Sequence, residues 1–509
     1  MSAGASRPRV ALLTEGTYPF VVGGVSTWCH QIVTGLPEFD FELVAVTSPE
    51  LEEAVFRLPP NARIGAHLQL WGPRAPRRAP GAPRAPRARR RARRPQLAAE
   101  LLRGLLGWDV DPLDVVPALV WCRQHPERVV PTFRAAATWT AFLAALEELA
   151  AERHPDAGEV PPLDVRHALE LYATTSWLAR TAAEAVPDAD VSLVTAAGWA
   201  VLPAVVDKAL TGRPVLLSEH GVYVREAYLA AARSSDGPAQ RFTATRLARG
   251  LARLTYAVAD VVSPVTAANA AWEERLGAAP GRIVPVPNGV PAPGEPAPAP
   301  RTLTVVSVGR IDPLKDVATM LRVAAEVRRR VPGARFLHYG PVPPGQEGYA
   351  RGCRELHAAL GLGGAFEFRG STSDPTGVVR DADVVLMTSI SEGFPMAVLE
   401  ALSQARPVVT THVGGVLEAV LGAGVTAAPG DVAGLADAVS TLLRDPGLAE
   451  RLGRRGHARV RRNFPQQRCL DGYRLLLGEL VGARAAAPAG VPAAGPRELV
   501  GAGAAGGAS

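Results

Sequence analysis

Apolar residues along this chain fall into two recurring patterns, short unbroken runs and longer stretches at helical spacing, and the two alternate. Residues 10–14 read as a buried strand, ending at Glu15-Gly16-Thr17-Tyr18-Pro19. Val21-Val22-Gly23-Gly24-Val25 then opens a helix at about Ser26, a residue type that caps helix N-termini. A second strand is expected over 41–46, and this β–loop–α–β start favours a parallel sheet. Residues 97–185 change character, with Leu-, Ala- and Trp-rich stretches of helical period, including 133–151 and 165–185. They predict a helical insertion within the first domain. Strands resume at 191–196, 215–218 and 260–264, and Ile283-Val284-Pro285-Val286-Pro287-Asn288-Gly289 ends the first half.

The Pro-rich stretch 291–300 reads as a linker. After it a second series of strands is expected at 303–308, 335–339, 366–369, 382–387 and 407–410, with helical patterns between them. The fold class is therefore α/β, with two doubly wound domains, 1–290 and 301–484. Such domains leave a cleft between them, and open parallel sheets bind ligands at the carboxyl ends of their strands.

Composition changes this picture in one place. The chain of 509 residues has a formal charge of +6, but residues 74–94 hold ten Arg and no acid, so the remainder carries +6 − 10 = −4. The segment 72–95 has too few apolar residues to build a core and reads as disordered, as does the Ala/Gly/Pro-rich tail 485–509. No aromatic residues interleave the arginines, so the stacking half of a single-strand nucleic-acid site is missing and no nucleic-acid partner is expected. Four scattered cysteines (Cys29, Cys122, Cys353, Cys469) suit a reducing compartment and exclude a structural zinc site. The N-terminus lacks a signal-peptide pattern, and no charge-free run of about 18 apolar residues predicts a membrane span.

Candidate chemistry clusters at predicted strand ends. Gly23-Gly24 allows close approach of backbone to a phosphate, although a plain turn is the commoner explanation of such a pair. Arg310 and Lys315, in Gly309-Arg310-Ile311-Asp312-Pro313-Leu314-Lys315-Asp316, can neutralise a diphosphate. His220, in Ser218-Glu219-His220-Gly221, can hydrogen-bond a sugar hydroxyl, exchange a proton near neutral pH, or serve structure alone. After the run Val384-Val385-Leu386-Met387, the turn Gly393-Phe394-Pro395 leads into a helix over about 396–404 with Pro395 at its first position. Free amides at that turn and the positive helix end form an anion site. Glu392 and Glu400 flank it, and a carboxylate beside a phosphate cradle suits a sugar hydroxyl. Carboxylate, cradle and carboxylate together point to a nucleotide sugar.

Three Asp-x-Asp pairs, Asp109/Asp111, Asp188/Asp190 and Asp381/Asp383, lie in the insertion or before strands, at the wrong end for a ligand. No metal or cofactor requirement is expected. Arg310, Lys315 and the helix dipole would stabilise a leaving diphosphate instead.

Gly309-Arg310…Lys315 with Glu392-x7-Glu400 resembles the retaining family 4 glycosyltransferases of the GT-B fold, two Rossmann-like domains facing a cleft. Glu15-Gly16-Thr17-Tyr18-Pro19…Gly23-Gly24-Val25-Ser26-Thr27-Trp28 and Ser218-Glu219-His220-Gly221 resemble the PelF-like branch, cytosolic glycosyltransferases of Pel exopolysaccharide synthesis. The likeness covers most of residues 8–480. It implies that Arg310 and Lys315, with Gly23, Gly24 and the 393–395 backbone, bind a UDP-sugar diphosphate. It further implies that Glu400 holds the ribose, with Glu392 and His220 beside the transferred sugar. A hexose would pass, with retained configuration, to a growing glycan. The implied setting is cytoplasmic, with peripheral attachment to a membrane polysaccharide-synthesis complex as one form of it. Two rival classes stay open: another enzyme on this fold, such as an epimerase or a glycan phosphorylase, and a non-catalytic nucleotide-sugar-binding regulator of a synthase.

Overall fold

Among the described residues, twelve strands form two six-stranded sheets in which every neighbouring pair is parallel. The computed structural model describes residues 7–48, 53–71, 94–152, 160–234, 236–292, 294–296 and 298–486. Nearly all of the Arg/Pro segment expected at 72–95, and the chain beyond Ala486, lie outside them. Residues 485 and 486, expected in the tail, close the helix Gln466–Ala486.

In the first sheet β1 (Arg9–Glu15), β2 (Asp40–Thr47), β3 (Ala62–Gln69), β4 (Val191–Val194), β5 (Val215–Glu219) and β6 (Val261–Pro264) take the order β3-β2-β1-β4-β5-β6. The second holds β7 (Thr304–Val308), β8 (Arg335–Tyr339), β9 (Phe366–Gly370), β10 (Val384–Met387), β11 (Val408–Thr411) and β12 (Gly424–Ala427), ordered β12-β11-β10-β7-β8-β9. Numbered within its own sheet, each follows the doubly wound order 3-2-1-4-5-6 of Rossmann domains. Chain direction across each sheet therefore reverses once, between β1 and β4 and between β7 and β10. Central strands are covered by helices on both faces, which is why Val10–Leu13 and Val384–Leu386 are continuous apolar runs, all buried.

Two strands escape sequence reading. β3 exposes Arg63, Ile64 and Gly65, and β12 is four residues long and only half-buried throughout. Both are edge strands, where one flank needs no partner and the apolar signal is weak. The run at 283–289 is no strand beyond an isolated bridge between Ile283 and Val262, because Pro285 and Pro287 supply no ladder donors. The first helix spans Gly24–Gly35 with Gly23 in the capping position, so Ser26 lies inside it and is buried rather than capping. Likewise Pro395 precedes the helix Met396–Ser403, with extended backbone.

Contacts divide the chain into two compact units. The first takes in the chain to Pro264, Ala270–Pro285 and the chain from Tyr473; the second takes in Val265–Asn269 and Val286–Gly472. The chain thus returns to its first unit at Tyr473, which is fully buried and packs on Trp28 at 5.0 Å between ring centres.

Between β3 and β4 the first unit carries the helices Leu97–Leu106, Val116–Gln124, Pro126–Phe133, Ala136–Ala151 and Val165–Ala183. Their buried Leu101, Leu105, Phe142, Leu146 and Leu178 share one core with Leu13 and Val44 of the sheet. Helix Leu97–Leu106 lies so close to helix Pro238–Val258 that a Cβ on Gly250 would stand 1.8 Å from the Leu105 carbonyl oxygen. Beside that contact Arg246 donates to the Leu106 carbonyl at 3.1 Å and stacks on Trp108, whose ring also carries Arg249. No single helix among the described residues is long and apolar enough to cross a membrane. The pair Pro126–Phe133 and Ala136–Ala151 reaches that length together but bends by 74°. Its Val129, Phe133, Phe142 and Leu149 are spent on the insertion core.

Gly250→Ala should therefore destabilise the protein by about 1–3 kcal/mol through overpacking. Gly352→Ala, at an exposed position of the helix Glu347–Ala359 where an added Cβ meets nothing within 4 Å, should stabilise it by about 0.4–1 kcal/mol. Thermal and denaturant midpoints of the two variants should move in opposite directions; an unmoved midpoint for Gly250→Ala would deny the close approach.

Candidate functional site

In the second unit the loops after β7 and β10 leave the sheet at its reversal point, and they are built around one aspartate. Asp312, 5% exposed, accepts the amides of Leu314 (2.9 Å) and Lys315 (3.0 Å) on one oxygen and Arg310 Nε (3.0 Å) on the other. It both folds the turn and fixes the Arg310 guanidinium, a use of Asp typical of turns. Gly340, at φ 156, makes room for this turn, since a Cβ there would stand 1.8 Å from the Gly309 carbonyl oxygen. Asp316 adopts left-handed backbone and caps helix Val317–Arg330, accepting from the Thr319 amide at 3.2 Å.

Four polar contacts join this loop to the next. The Ile390 amide donates to the Leu314 carbonyl at 2.7 Å. Thr388 Oγ1 lies 3.0 Å from the carbonyls of both Lys315 and Asp316. Lys315 Nζ donates to Glu392 Oε1 at 2.5 Å. The second loop is then held from below. A Cβ on Gly414 would lie 1.8 Å from the Glu392 carbonyl oxygen, and the Gly415 amide donates to Gly393 at 2.8 Å. Phe394 packs edge-on to Phe464 at 5.0 Å, and its carbonyl accepts from Asn288 Nδ2 at 3.2 Å. Gly393, Phe394 and Pro395 are thus clamped on the way into the helix that carries Glu400.

The seven sequence candidates of this unit, Arg310, Lys315, Glu392, Gly393, Phe394, Pro395 and Glu400, belong to these two loops and that short helix. Burial pushes the Glu400 carboxyl above the usual carboxylate range. Among the described residues it has no hydrogen-bond or ion-pair partner, and neither have the terminal nitrogens of Arg310. A carboxylate and a guanidinium fork held in place but unspent are equipped to take hydroxyls and an anion respectively. Asp312, Thr388, Asn288 and Gly414 were not singled out by sequence reasoning. Asp312 had a local signal, Asp-Pro just ahead of Lys315; the others act through contacts remote in sequence.

The first unit holds the remaining candidates. Gly23 and Gly24 begin the first helix, and a Cβ on either would meet nothing within 4 Å. Trp28, one turn further, lies edge-on to the His220 ring at 4.4 Å, which brings the glycine turn and the loop after β5 together. His220 Nε2 shares a hydrogen bond with Ser218 Oγ at 3.2 Å, and Ser218 Oγ another with Tyr473 Oη at 2.6 Å. Glu219 points inward, accepting from the Tyr223 amide (3.0 Å) and Tyr256 Oη (2.7 Å). Burial raises its carboxyl, and burial with the Glu219 charge raises that of neighbouring Glu273, so a proton stays with this pair. At the end of β1, Glu15 accepts from the Ala200 amide (3.1 Å) and Tyr223 Oη (3.2 Å), and burial raises it too.

One member of each aspartate pair is engaged with backbone. Asp111 accepts from Leu113 at 2.9 Å and Asp190 from Arg9 at 2.8 Å, and Asp383 takes the amides of Arg301, Thr302 and Thr304. Among the described residues no group of three His, Cys, Asp or Glu is placed to hold a metal ion.

Residues 302–445 match the family described as "Glycosyl transferases group 1", and residues 8–281 match "Domain of unknown function (DUF3492)". Trehalose synthase of Rubrobacter xylanophilus is 33% identical over 184 residues, 35% of this chain and 44% of that protein. The chain spans less than half the length of such curated relatives. Sucrose-phosphate synthase from Thermosynechococcus elongatus superposes with a TM-score of 0.60 at 18% identity, covering 94% of this chain and all of that one. Anabaena Alr3699/HepE in complex with UDP-glucose does so at 0.56 and 14% identity, covering 93% and 100%. These likenesses confirm the two-domain GT-B fold. The chain belongs to the family described as "Domain of unknown function (DUF3492)", which takes in more than half of it, and residues 302–445 of its second unit match the group 1 glycosyl transferases, the enzyme class implied by the motifs at Arg310, Lys315, Glu392 and Glu400.

Proposed function

We propose that this protein transfers a hexose from a UDP-sugar to a growing glycan with retention of configuration and without a metal ion, in exopolysaccharide synthesis of the PelF-like kind. The observation that carries the reading is the Lys315–Glu392 ion pair that joins the loop of Arg310 to the loop leading into the helix of Glu400, at the point where Rossmann sheets take ligands. A solved structure of the same fold contains UDP-glucose, which supports a uridine donor.

In this reading the donor diphosphate lies on the Arg310 fork and on Lys315. An ammonium has three N–H donors, so Lys315 can keep Glu392 and still reach phosphate oxygens. Glu400 accepts the ribose hydroxyls, and Glu392, fixed by Lys315, faces the transferred sugar. As the anomeric C–O bond breaks, charge develops on the departing diphosphate, where preorganised cations stabilise it more than they stabilise the bound donor. The acceptor oxygen attacks the same face and its proton passes to the departing phosphate oxygen, so configuration is retained. Two fixed cations supply the charge that a metal ion would otherwise bring. In the first unit, His220 is proposed as a hydroxyl partner and the Gly23-Gly24 amides as a phosphate partner. Cytoplasmic placement, with a membrane synthesis complex as partner, belongs to the same proposal.

Nucleotide release from a panel of UDP-, GDP- and ADP-sugars in EDTA tests this. Native protein should release UDP; Lys315→Ala should lower kcat by about 10²–10³. Glu400→Ala should weaken donor binding by about 1.5–3 kcal/mol, roughly 10- to 150-fold. Donor binding without release, whatever acceptor is offered, would favour a regulator; no binding would end the nucleotide-sugar reading.

Glu400 accepts hydroxyls best when ionised, and its raised carboxyl protonates at higher pH than an ordinary glutamate. Donor affinity should therefore fall on acidification, beginning above the usual glutamate value of about 4.3. Glu400→Gln should lose that limb. Parallel affinity curves for the two proteins would remove Glu400 from the ribose.

A further inference from the structure

Three tryptophans meet above the carboxyl edge of the first sheet, and the motifs discussed so far use none of them. Trp71 follows β3, Trp199 follows β4, and Trp177 comes from helix Val165–Ala183. Ring centres lie 5.5 Å apart for Trp71 and Trp177 and 6.4 Å apart for Trp71 and Trp199. The Arg180 guanidinium stacks on Trp177 at 3.6 Å. The two inner rings are firmly seated. Trp177 is buried, and Trp199 sits in a turn where a Cβ on preceding Gly198 would stand 2.4 Å from Glu15 Oε2 and 2.7 Å from the Tyr223 ring. The Ala200 amide on its other side is bonded to the Glu15 carboxylate at 3.1 Å.

Trp71 differs in two respects. It is 53% exposed, and it adopts left-handed backbone at φ 64, a conformation strained for a bulky residue. The preceding residue is fixed by a hydrogen bond from the Leu70 amide to the Thr47 carbonyl at 2.7 Å. Strain of this kind persists where the surroundings over-determine it, and such positions concentrate in binding sites.

We propose that Trp71, seated on Trp177 and Trp199, is a stacking platform for a sugar ring of the glycan acceptor. The proposal deepens the glycosyltransferase reading and rests on it. The C–H groups on the face of a pyranose carry partial positive charge and match the negative face of an indole, while hydroxyls at the ring edge stay in water. Indole has two side-chain torsions, so a contact of this area costs little ordering on binding. The platform stands at the carboxyl ends of parallel strands, where doubly wound sheets take ligands. A chain of linked pyranoses, rather than one free sugar, suits a surface made of several rings.

The test titrates the full-length protein with cellohexaose, chitohexaose and maltohexaose, following heat and tryptophan emission, and separately with UDP. At least one hexasaccharide should bind and alter the emission. Trp71→Ala and Trp71→Gly should each weaken it by about tenfold or more, and Trp71→Phe by no more than about threefold. UDP affinity should be unchanged in all three. Glycine is at ease at φ 64 and alanine is not, so Trp71→Gly should melt above Trp71→Ala while both lose the hexasaccharide, which separates loss of the ring from loss of the fold. Equal hexasaccharide affinity in native protein and both truncated variants would overturn the platform. So would UDP binding with none of the three hexasaccharides bound. Hexasaccharide binding that depends on Trp71, in a protein that binds no UDP, would keep the platform and remove the nucleotide-sugar reading.

Discussion

The ion pair between Lys315 and Glu392 is the contact on which the second unit's site depends. Its partners are 77 residues apart in the chain, yet their charged groups meet at 2.5 Å because β7 and β10 are neighbours in the sheet. A doubly wound sheet makes one such meeting unavoidable. The chain builds outward from β7, then returns to its other flank with β10, so the loops leaving those strands share a border with no strand between them. Ile390 and Thr388 bind that border with backbone acceptors, and Asp312 folds the near side of it. With both flanks fixed, the terminal nitrogens of Arg310 and the carboxyl of Glu400 can remain uncommitted without letting the loops collapse. Removing one member of a partly buried ion pair leaves the other exposed to the full cost of desolvation, so the two charges constrain each other as much as they attract.

The first unit solves a similar problem with protons instead of cations. Glu15 and Glu219 both end strands, and both turn inward to take backbone amides and tyrosine hydroxyls. Burial raises them, and Glu273 beside Glu219 could not be charged at the same time without severe repulsion. Tyr223 links the two sites, since its amide serves Glu219 and its hydroxyl serves Glu15. These carboxylates hold the loops that present His220 and Trp199, so their part is to position neighbours.

Much of this was open to a reader of the chain. Short continuous apolar runs such as Val384–Met387, alternating with stretches of helical period, fit the strands of a parallel sheet covered on both faces, and the charged residues that follow them mark the strand ends. Edge strands were not open in that way. β3 carries Arg63 and Gly65 because half its surface needs no burial, which removes the pattern that reveals a strand. Ser26 misled for a related reason, since a good capping residue also fits a helix interior when neighbours bury it and glycines ahead begin the helix.

By itself, then, the sequence determined the alternation of strands and helices, the two-domain α/β class and the strand ends that carry chemistry. Each of these follows from periodicity and local backbone preference, which neighbouring residues decide among themselves. Tertiary structure alone decided that Lys315 would hold Glu392 while Glu400 stayed unpaired, that Asn288 and Gly414 would clamp the turn at 392–394, and that Trp71, Trp177 and Trp199 would meet. Those outcomes depend on strand order and on which surfaces pack, and contacts between residues dozens of positions apart leave no periodic mark in the chain.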